Sequence, residues 1–394
     1  MTDEPSANDI GRRLRQIRHA RGKSLAVVAG LAGISTSYLS RLESGARALD
    51  RRSLIVNLAN ALEVAPSEIS GAGLVSPGRL AEDRSLNEVR LALAAAGMHD
   101  PRGEIVPVEM LSSRATALLD AQRDCRLELV GAELPLLIRD LHATLEAGHD
   151  VSRLLALVHV QGTQAWLTDI GANPDLAWQA VTLAQQAAAR ADDPFSHAVS
   201  AFGTAFGLMA VGAFDLASQA LSAPAVGTKT KEAAEVTGML ALTSSLTAAA
   251  SGNRAEQQAA LDHAADLARH TGEGNTLWFG FGPGNVGVWR MSVALEAGDH
   301  ATAARIATTV TPETLPSATR RATYWREYGR ALAHLPRRFE EAVAALRRAE
   351  QISPAHVQRH PFMRSVLAEL LTKAKRDSAG RELRGMAHRA GLVV

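Results

Sequence analysis

SLAVVAGLAGISTSYLSRLESG, residues 24–45, is the stretch on which the reading of this chain turns. Ser24 offers a side-chain oxygen to the free amides of a short helix over 25–31. Ala32-Gly33-Ile34 follows as a tight turn, and Gly33 takes positive φ without steric cost. Ser35 caps a second helix, 36–43, which stops at Ser44-Gly45.

The pattern extends both ways. Upstream, NDIGRRLRQIRHAR (8–21) reads as a helix with Ile10, Leu14 and Ile17 along one side, ended by Gly22. Downstream, Asp50 or Ser53 opens a helix through about Leu62, and Ser67 starts a short fifth piece. Two short helices joined by a glycine-containing turn form a helix-turn-helix unit. The charge agrees with that reading. Residues 10–52 hold ten Arg or Lys against two acids, Glu43 and Asp50, while residues 71–394 hold 32 basic and 34 acidic residues. A local basic block on a chain of net charge +1 suits a nucleic-acid contact. It also suits a plain solvated face, and Arg outnumbers Lys 37 to 5 throughout, which weakens an argument from Arg alone.

Over roughly residues 8–69 the spacing resembles the Cro/repressor (XRE-type) family of DNA-binding domains, carried by Ala29, Gly33, Ile34, Leu39 and the ending Leu42-Glu43-Ser44-Gly45. The resemblance implies that the third helix enters the major groove with Thr36, Ser37, Ser40 and Arg41 toward base edges. Arg41 suits a bidentate contact to guanine. Arg47, Arg51 and Arg52 fall where this family contacts phosphates, and Arg18 and Glu43 match its structural ion pair. One departure is Leu25, where many members carry a phosphate-gripping Gln.

From 71 onward the composition changes. GAGLVSPGRLAEDR (71–84) reads as a linker, Ser85–Ala96 has the pattern of one helix, and 97–107 breaks again. The expected domains are therefore 1–70, a linker with room for one helix over 71–107, and a helical region over 108–394. In that last region turn residues recur at Gly171, Gly212, Gly252, Gly298 and Pro336, at intervals of 41, 40, 46 and 38. One helix pair per roughly forty residues marks an α-solenoid. The array is similar to tetratricopeptide repeats, although that motif is not matched in full. The expected fold is thus all-α: a five-helix helix-turn-helix domain followed by a solenoid of tetratricopeptide-like pairs.

The long interval contains WFGFGPGNVGVWR (278–290), unlike anything around it. Residues 278–328 carry seven of the sixteen aromatics, and an even spread would put about two there. Three readings stay open: a thick patch of core, a ligand pocket on the inner surface, or an oligomer contact. The pocket reading names Trp278, Phe281, Asn285, Trp289, Arg290, Tyr324 and Tyr328, which combine aromatic walls with polar anchors.

Enzymatic chemistry finds no footing. No G-x-x-x-x-G-K-[ST], G-x-S-x-G or H-E-x-x-H occurs. His356 and His360 have metal-ligand spacing but lie between Pro354 and Pro361 with no third ligand near, so neither a metal nor a cofactor is expected. A single cysteine, Cys125, excludes an intrachain disulfide and points to a cytoplasmic setting. No apolar run reaches membrane-spanning length.

The combination resembles XRE-type regulators with tetratricopeptide-like C-terminal domains, including peptide sensors of the Rgg and PlcR type. That resemblance implies a transcriptional regulator, not an enzyme. It would bind a palindromic double-stranded operator as a homodimer and respond to a peptide or small-molecule effector. The alternative is a scaffold tethered to DNA whose main partner is another protein.

Overall fold

The computed structural model describes residues 9–70 and 80–392. Among these there is no strand. The N-terminal unit, hereafter the head, has five helices: α1 (Asp9–Ala20), α2 (Leu25–Leu31), α3 (Thr36–Glu43), α4 (Arg52–Leu62) and α5 (Pro66–Ser70). Ser24 Oγ accepts from the Val27 amide at 3.3 Å, and Ser35 Oγ from the Tyr38 amide at 3.1 Å. Gly33 sits at φ +67° in the turn between α2 and α3. Leu14, Val28, Leu39, Leu42, Leu58 and Ile69 close the core, and Phe362 from far down the chain joins them. The fourth helix starts differently from expectation. Arg51 precedes it with no side-chain cap, and neither Asp50 nor Ser53 caps it. A carboxylate from the helical region does so instead, as described below.

That region runs through α6 (Leu80–Gly97), α7 (Val108–Arg123), α8 (Leu127–Glu146), α9 (Ser152–Leu157), α10 (Ala165–Asp169) and α11 (Pro174–Ala191). It continues with α12 (Pro194–Ala210), α13 (Phe214–Ser222), α14 (Lys231–Ser251), α15 (Arg254–Thr271), α16 (Pro283–Glu296) and α17 (His300–Ala307). The last elements are α18 (Ala318–Ala333), α19 (Phe339–Ile352), α20 (Pro354–Gln358), α21 (Pro361–Lys373) and α22 (Ser378–Arg389). A π-helical turn, Val158–Gln164, joins α9 to α10. The segment read as linker contributes more than expected. Residues 71–79 lie outside the described residues, but α6 sends Val89, Ala92, Leu93 and Ala96 into the main core.

Helix pairs recur as the turn residues predict. Gly171, Gly212, Gly252 and Gly298 all take left-handed φ of 70–80° at the turns, and at the fifth turn Arg337 takes φ 59°. Successive first helices α12, α14, α16, α18 and α21 pack side by side. The array curls until α18 meets α7. Thr319 Oγ1 donates to the Arg123 carbonyl at 3.0 Å, across 196 residues of sequence. Arg359 Nη1 donates to the Ile170 carbonyl at 3.1 Å, which ties α20 to the end of α10.

The segment between α15 and α16, which carries WFGFG, runs through the inside of this curl. Its contacts come from many helices at once. The Glu235 carboxylate of α14 accepts from the Thr276 amide at 3.1 Å. Gln161 Nε2 of the π turn donates to the Leu277 carbonyl at 3.1 Å. Trp278 Nε1 donates to Asp120 of α7 at 2.7 Å. Arg320 Nη2 of α18 donates to the Phe279 carbonyl at 3.1 Å. Phe279 meets Phe202 of α12 edge-on, ring centres 4.9 Å apart. Phe281 fits only because Gly238 faces it, since a Cβ there would lie 2.1 Å from the ring. Leu277 and Trp278 both hold left-handed φ, 53° and 58°. Such conformations cost on the order of 1 kcal/mol each and persist where surrounding bonds impose them.

Candidate nucleic-acid interface

The head presents two surfaces that follow one another in sequence. The first is α3. Its placement rests on a buried ion pair: Arg18 Nε donates to Glu43 Oε1 at 2.6 Å and Nη2 to Oε2 at 2.9 Å. Arg18 Nη1 also donates to the Lys23 carbonyl at 3.1 Å, so one side chain fixes α1, the following turn and α3 together. The hydrogen bond to Glu43 raises the Arg18 pKa above its ordinary value. On the outer side of α3, Thr36, Ser37, Ser40 and Arg41 are exposed. Arg41 Nε donates to the Ser37 carbonyl at 3.4 Å, and its guanidinium lies 5.9 Å from the Tyr38 ring centre. These are short or flexible groups on an open helix face.

The second surface is the turn between α3 and α4 with the first residues of α4. It faces the helical region. The Ala48 amide donates to Glu369 Oε2 at 2.9 Å, and the Leu49 amide to Ser365 Oγ at 2.8 Å, both on α21. Asp50 is buried between α18 groups: His334 Nε2 lies 3.1 Å from its carboxylate, and Arg330 Nη2 donates to its carbonyl at 2.7 Å. Burial pushes the Asp50 carboxyl upward. The hydrogen bond from His334 and the charges of His334, Arg330 and His300 outweigh that and hold it well below the usual range. At the start of α4, Glu296 Oε1 accepts from the Ser53 amide at 2.9 Å and from Ser53 Oγ at 3.1 Å. Free amides at a helix N-terminus attract anions. Here a buried carboxylate from α16 fills that place.

The arginines follow the same geometry. Arg47 Nη1 reaches Glu369 at 3.5 Å and His334 Nδ1 at 3.3 Å. Arg52 Nη1 lies 3.5 Å from Glu296, with its guanidinium 5.3 Å from the Phe362 ring centre. Arg51 packs over Gly298, where a Cβ would come within 2.7 Å of its Nη1. So Thr36, Ser37, Ser40 and Arg41 lie together on the open face, while Arg47, Arg51 and Arg52 lie together against the repeat region.

The residues proposed from sequence for a ligand pocket are not one group. Phe281 and Asn285 are fully buried, and Asn285 Nδ2 donates to the Gly280 carbonyl at 2.8 Å from inside α16, which begins at Pro283. Trp289 packs against Phe206, ring centres 6.2 Å apart. Tyr324 belongs to a separate cluster with Val288, Met291, Ala307 and Leu315, and its hydroxyl donates to the Ala307 carbonyl at 3.0 Å. Tyr328 packs beside it, Trp278 is half-buried on the inner segment, and Arg290 is partly exposed.

Sequence reasoning missed the partners of the turn: Glu296, Arg330, His334, Ser365 and Glu369. One signal was present. Glu296 is the last residue of α16, where the helix dipole disfavours an acid. An acid placed there against the dipole has a partner elsewhere.

Residues 9–70 match the family described as helix-turn-helix domain, which covers α1–α5 and nothing beyond. No curated protein and no solved structure matches the chain. Among the described residues no single helix is long and apolar enough to cross a membrane.

Proposed function

We propose that this chain is a sequence-specific DNA-binding regulator rather than an enzyme. In this reading α3 reads a duplex operator, the repeat region dimerises, and a peptide or small-molecule effector changes operator binding. The observation that carries it is the open row of Thr36, Ser37, Ser40 and Arg41 on a helix braced by the Arg18–Glu43 pair. Phosphate contacts position such a head, and base contacts specify the site. The docked turn then acquires a role. Glu296 and Glu369 occupy the Ser53 and Ala48 amides and draw in Arg52 and Arg47, the donors and charges that DNA phosphates would otherwise attract. The repeat region competes with DNA for one half of the reading face. A two-fold symmetric dimer would present two heads to half-sites about one helical turn apart.

The test is selection from a random duplex pool by the full-length chain, followed by anisotropy titration at fixed moderate salt. A selected duplex should bind well above competitor DNA, and Arg41→Ala should erode that preference. Binding that does not discriminate among duplexes would sink the proposal.

A further inference from the structure

Three guanidiniums meet where the curl of helices closes, and the head uses none of them directly. Arg123 ends α7, and Arg320 and Arg326 lie on α18. Arg123 donates to Gln161 Oε1 and Arg320 to the Phe279 carbonyl, both neutral acceptors. The Nε of each is buried without a partner. Among the described residues neither has a carboxylate within ion-pair distance. Arg326 does have one, Glu327, at 2.8 Å, but Glu327 is shared with Arg330 at 2.5 Å.

One further carboxylate, Asp169, lies among these guanidiniums. Asp169 accepts from Gln122 Nε2 at 2.8 Å, and burial pushes its carboxyl up to about 6 despite Arg326 and Arg123 nearby. Burial, then repulsion from Arg123 and Arg326, lowers Arg320 to about 9, and burial lowers Arg123 to about 10. His356 is drawn down to about 3 by burial and then by Arg326 and Arg320, so it stays neutral and adds no charge. A buried ion is stable only when paired, and this cluster holds more cations than anions.

Arg123, Arg320 and Arg326 each remain partly exposed. A cleft of about 400 Å³, lined by Cys125, Arg126, Glu128, Ser353, Gln358 and Arg359 among others, opens two residues past Arg123. Cys125 Sγ lies 3.5 Å from Thr319 Oγ1, and Thr319 is bonded to the Arg123 carbonyl and precedes Arg320 in the chain. The cleft and the cluster therefore share a wall.

We propose that Arg123 and Arg320, with Arg326 beside them, form the binding site of a small anion that presents a phosphate or carboxylate group. Guanidinium forks match both groups. The site is linked to the head through one helix. Glu327 bridges Arg326 and Arg330, and Arg330 holds the Asp50 carbonyl. An anion that engages Arg326 leaves Glu327 to Arg330 and alters the grip on the head. That this link serves operator binding rests on the regulator reading above; the site itself does not.

The experiment is thermal unfolding of the full-length chain in sodium phosphate and in sodium succinate, each against sodium chloride at equal ionic strength. At least one of the two should raise Tm by several degrees and saturate, as a ligand that binds only the folded state does. A phosphate response alone assigns a phosphoryl group, a succinate response alone assigns a carboxylate, and both together assign their shared chemistry. Arg320→Gln should abolish the response. Should that variant fail to fold, Arg123→Gln carries the same comparison. Neither anion exceeding chloride, or an undiminished response in the variant, overturns the proposal. No DNA is present in this assay, so its failure leaves the operator reading standing, and a failure of operator binding leaves the site standing.

Discussion

Helix α3 and the turn that follows it are neighbours in sequence and opposites in environment. Thr36, Ser37, Ser40 and Arg41 face solvent, while Ala48, Leu49, Asp50 and Ser53 are bonded to α16, α18 and α21. The difference teaches that a head can keep one helix face open while the amides of the next turn are engaged. Under the proposed function, specificity and affinity would come under separate control, the first through α3 and the second through the turn.

The largest expected effect removes the brace that both surfaces share. Arg18→Ala leaves Glu43 buried without its partner, a loss of about 3–5 kcal/mol. The head should unfold, read as a lost transition in chemical denaturation together with lost operator binding. A folded head with merely weaker DNA contact would show that the pair does not hold α3.

The next change separates the two surfaces. Glu296→Gln with Glu369→Gln weakens charge-assisted bonds worth about 1.5–3 kcal/mol each. Amide exchange across 44–56 should accelerate while α3 stays protected. Affinity for the selected duplex should rise by about tenfold for every 1.4 kcal/mol of docking removed. Unchanged affinity alongside faster exchange would break the claim that docking competes with phosphates.

A smaller effect is confined to α3. Arg41→Ala should cost about 1–3 kcal/mol against one base pair and little against the others, measured on a panel of single-base operator variants. A uniform loss across the panel would move Arg41 to the phosphate side of the comparison.

The smallest is a pH effect on the dock. His300 stacks on His334 at 4.0 Å, and burial, then the charge of His334, draws its pKa down to about 4. An unfolded histidine titrates near 6.5. The unfolded chain therefore takes its proton first, and stability present above that value is lost as pH falls toward 4. His142, at about 4, and His356, at about 3, act in the same direction. Asp169, raised to about 6, opposes them, because its contribution grows as pH falls below 6. With several histidines against one carboxyl, the urea midpoint should drop between pH 7 and 5. Exchange should quicken first in the turn, where His300 and His334 face Asp50, Glu369, Arg47, Arg51 and Arg330. A midpoint that holds or rises would show that the histidines are not buried as neutral groups.

How much of this was readable beforehand differs by segment. The five head helices were, because Ser24, Gly33 and Ser35 act within three or four residues of themselves. The turns at Gly171, Gly212, Gly252 and Gly298 were, because a left-handed backbone position leaves its mark in the residue itself. The start of α4 was not, because its cap, Glu296, is 243 residues from Ser53. The π turn at Val158–Gln164 was missed as well, since nothing in its composition breaks the helical run, and the short α20 was missed although Pro354 and Pro361 bracket it. The aromatic run was noticed, but its place was not. Pro283 and Gly284 announced only that a helix must stop before α16.

The sequence alone determined an all-helical chain with a helix-turn-helix unit at its start and paired helices after it. Those features follow from short-range capping, periodicity and backbone freedom. Only the tertiary structure decided that α3 stays open while the turn after it is docked. It also decided that 276–281 threads the interior, and that Arg123 and Arg320 meet across the closure. Those outcomes depend on the curl of the array, set by the sum of small rotations between successive helix pairs. No single residue encodes that sum.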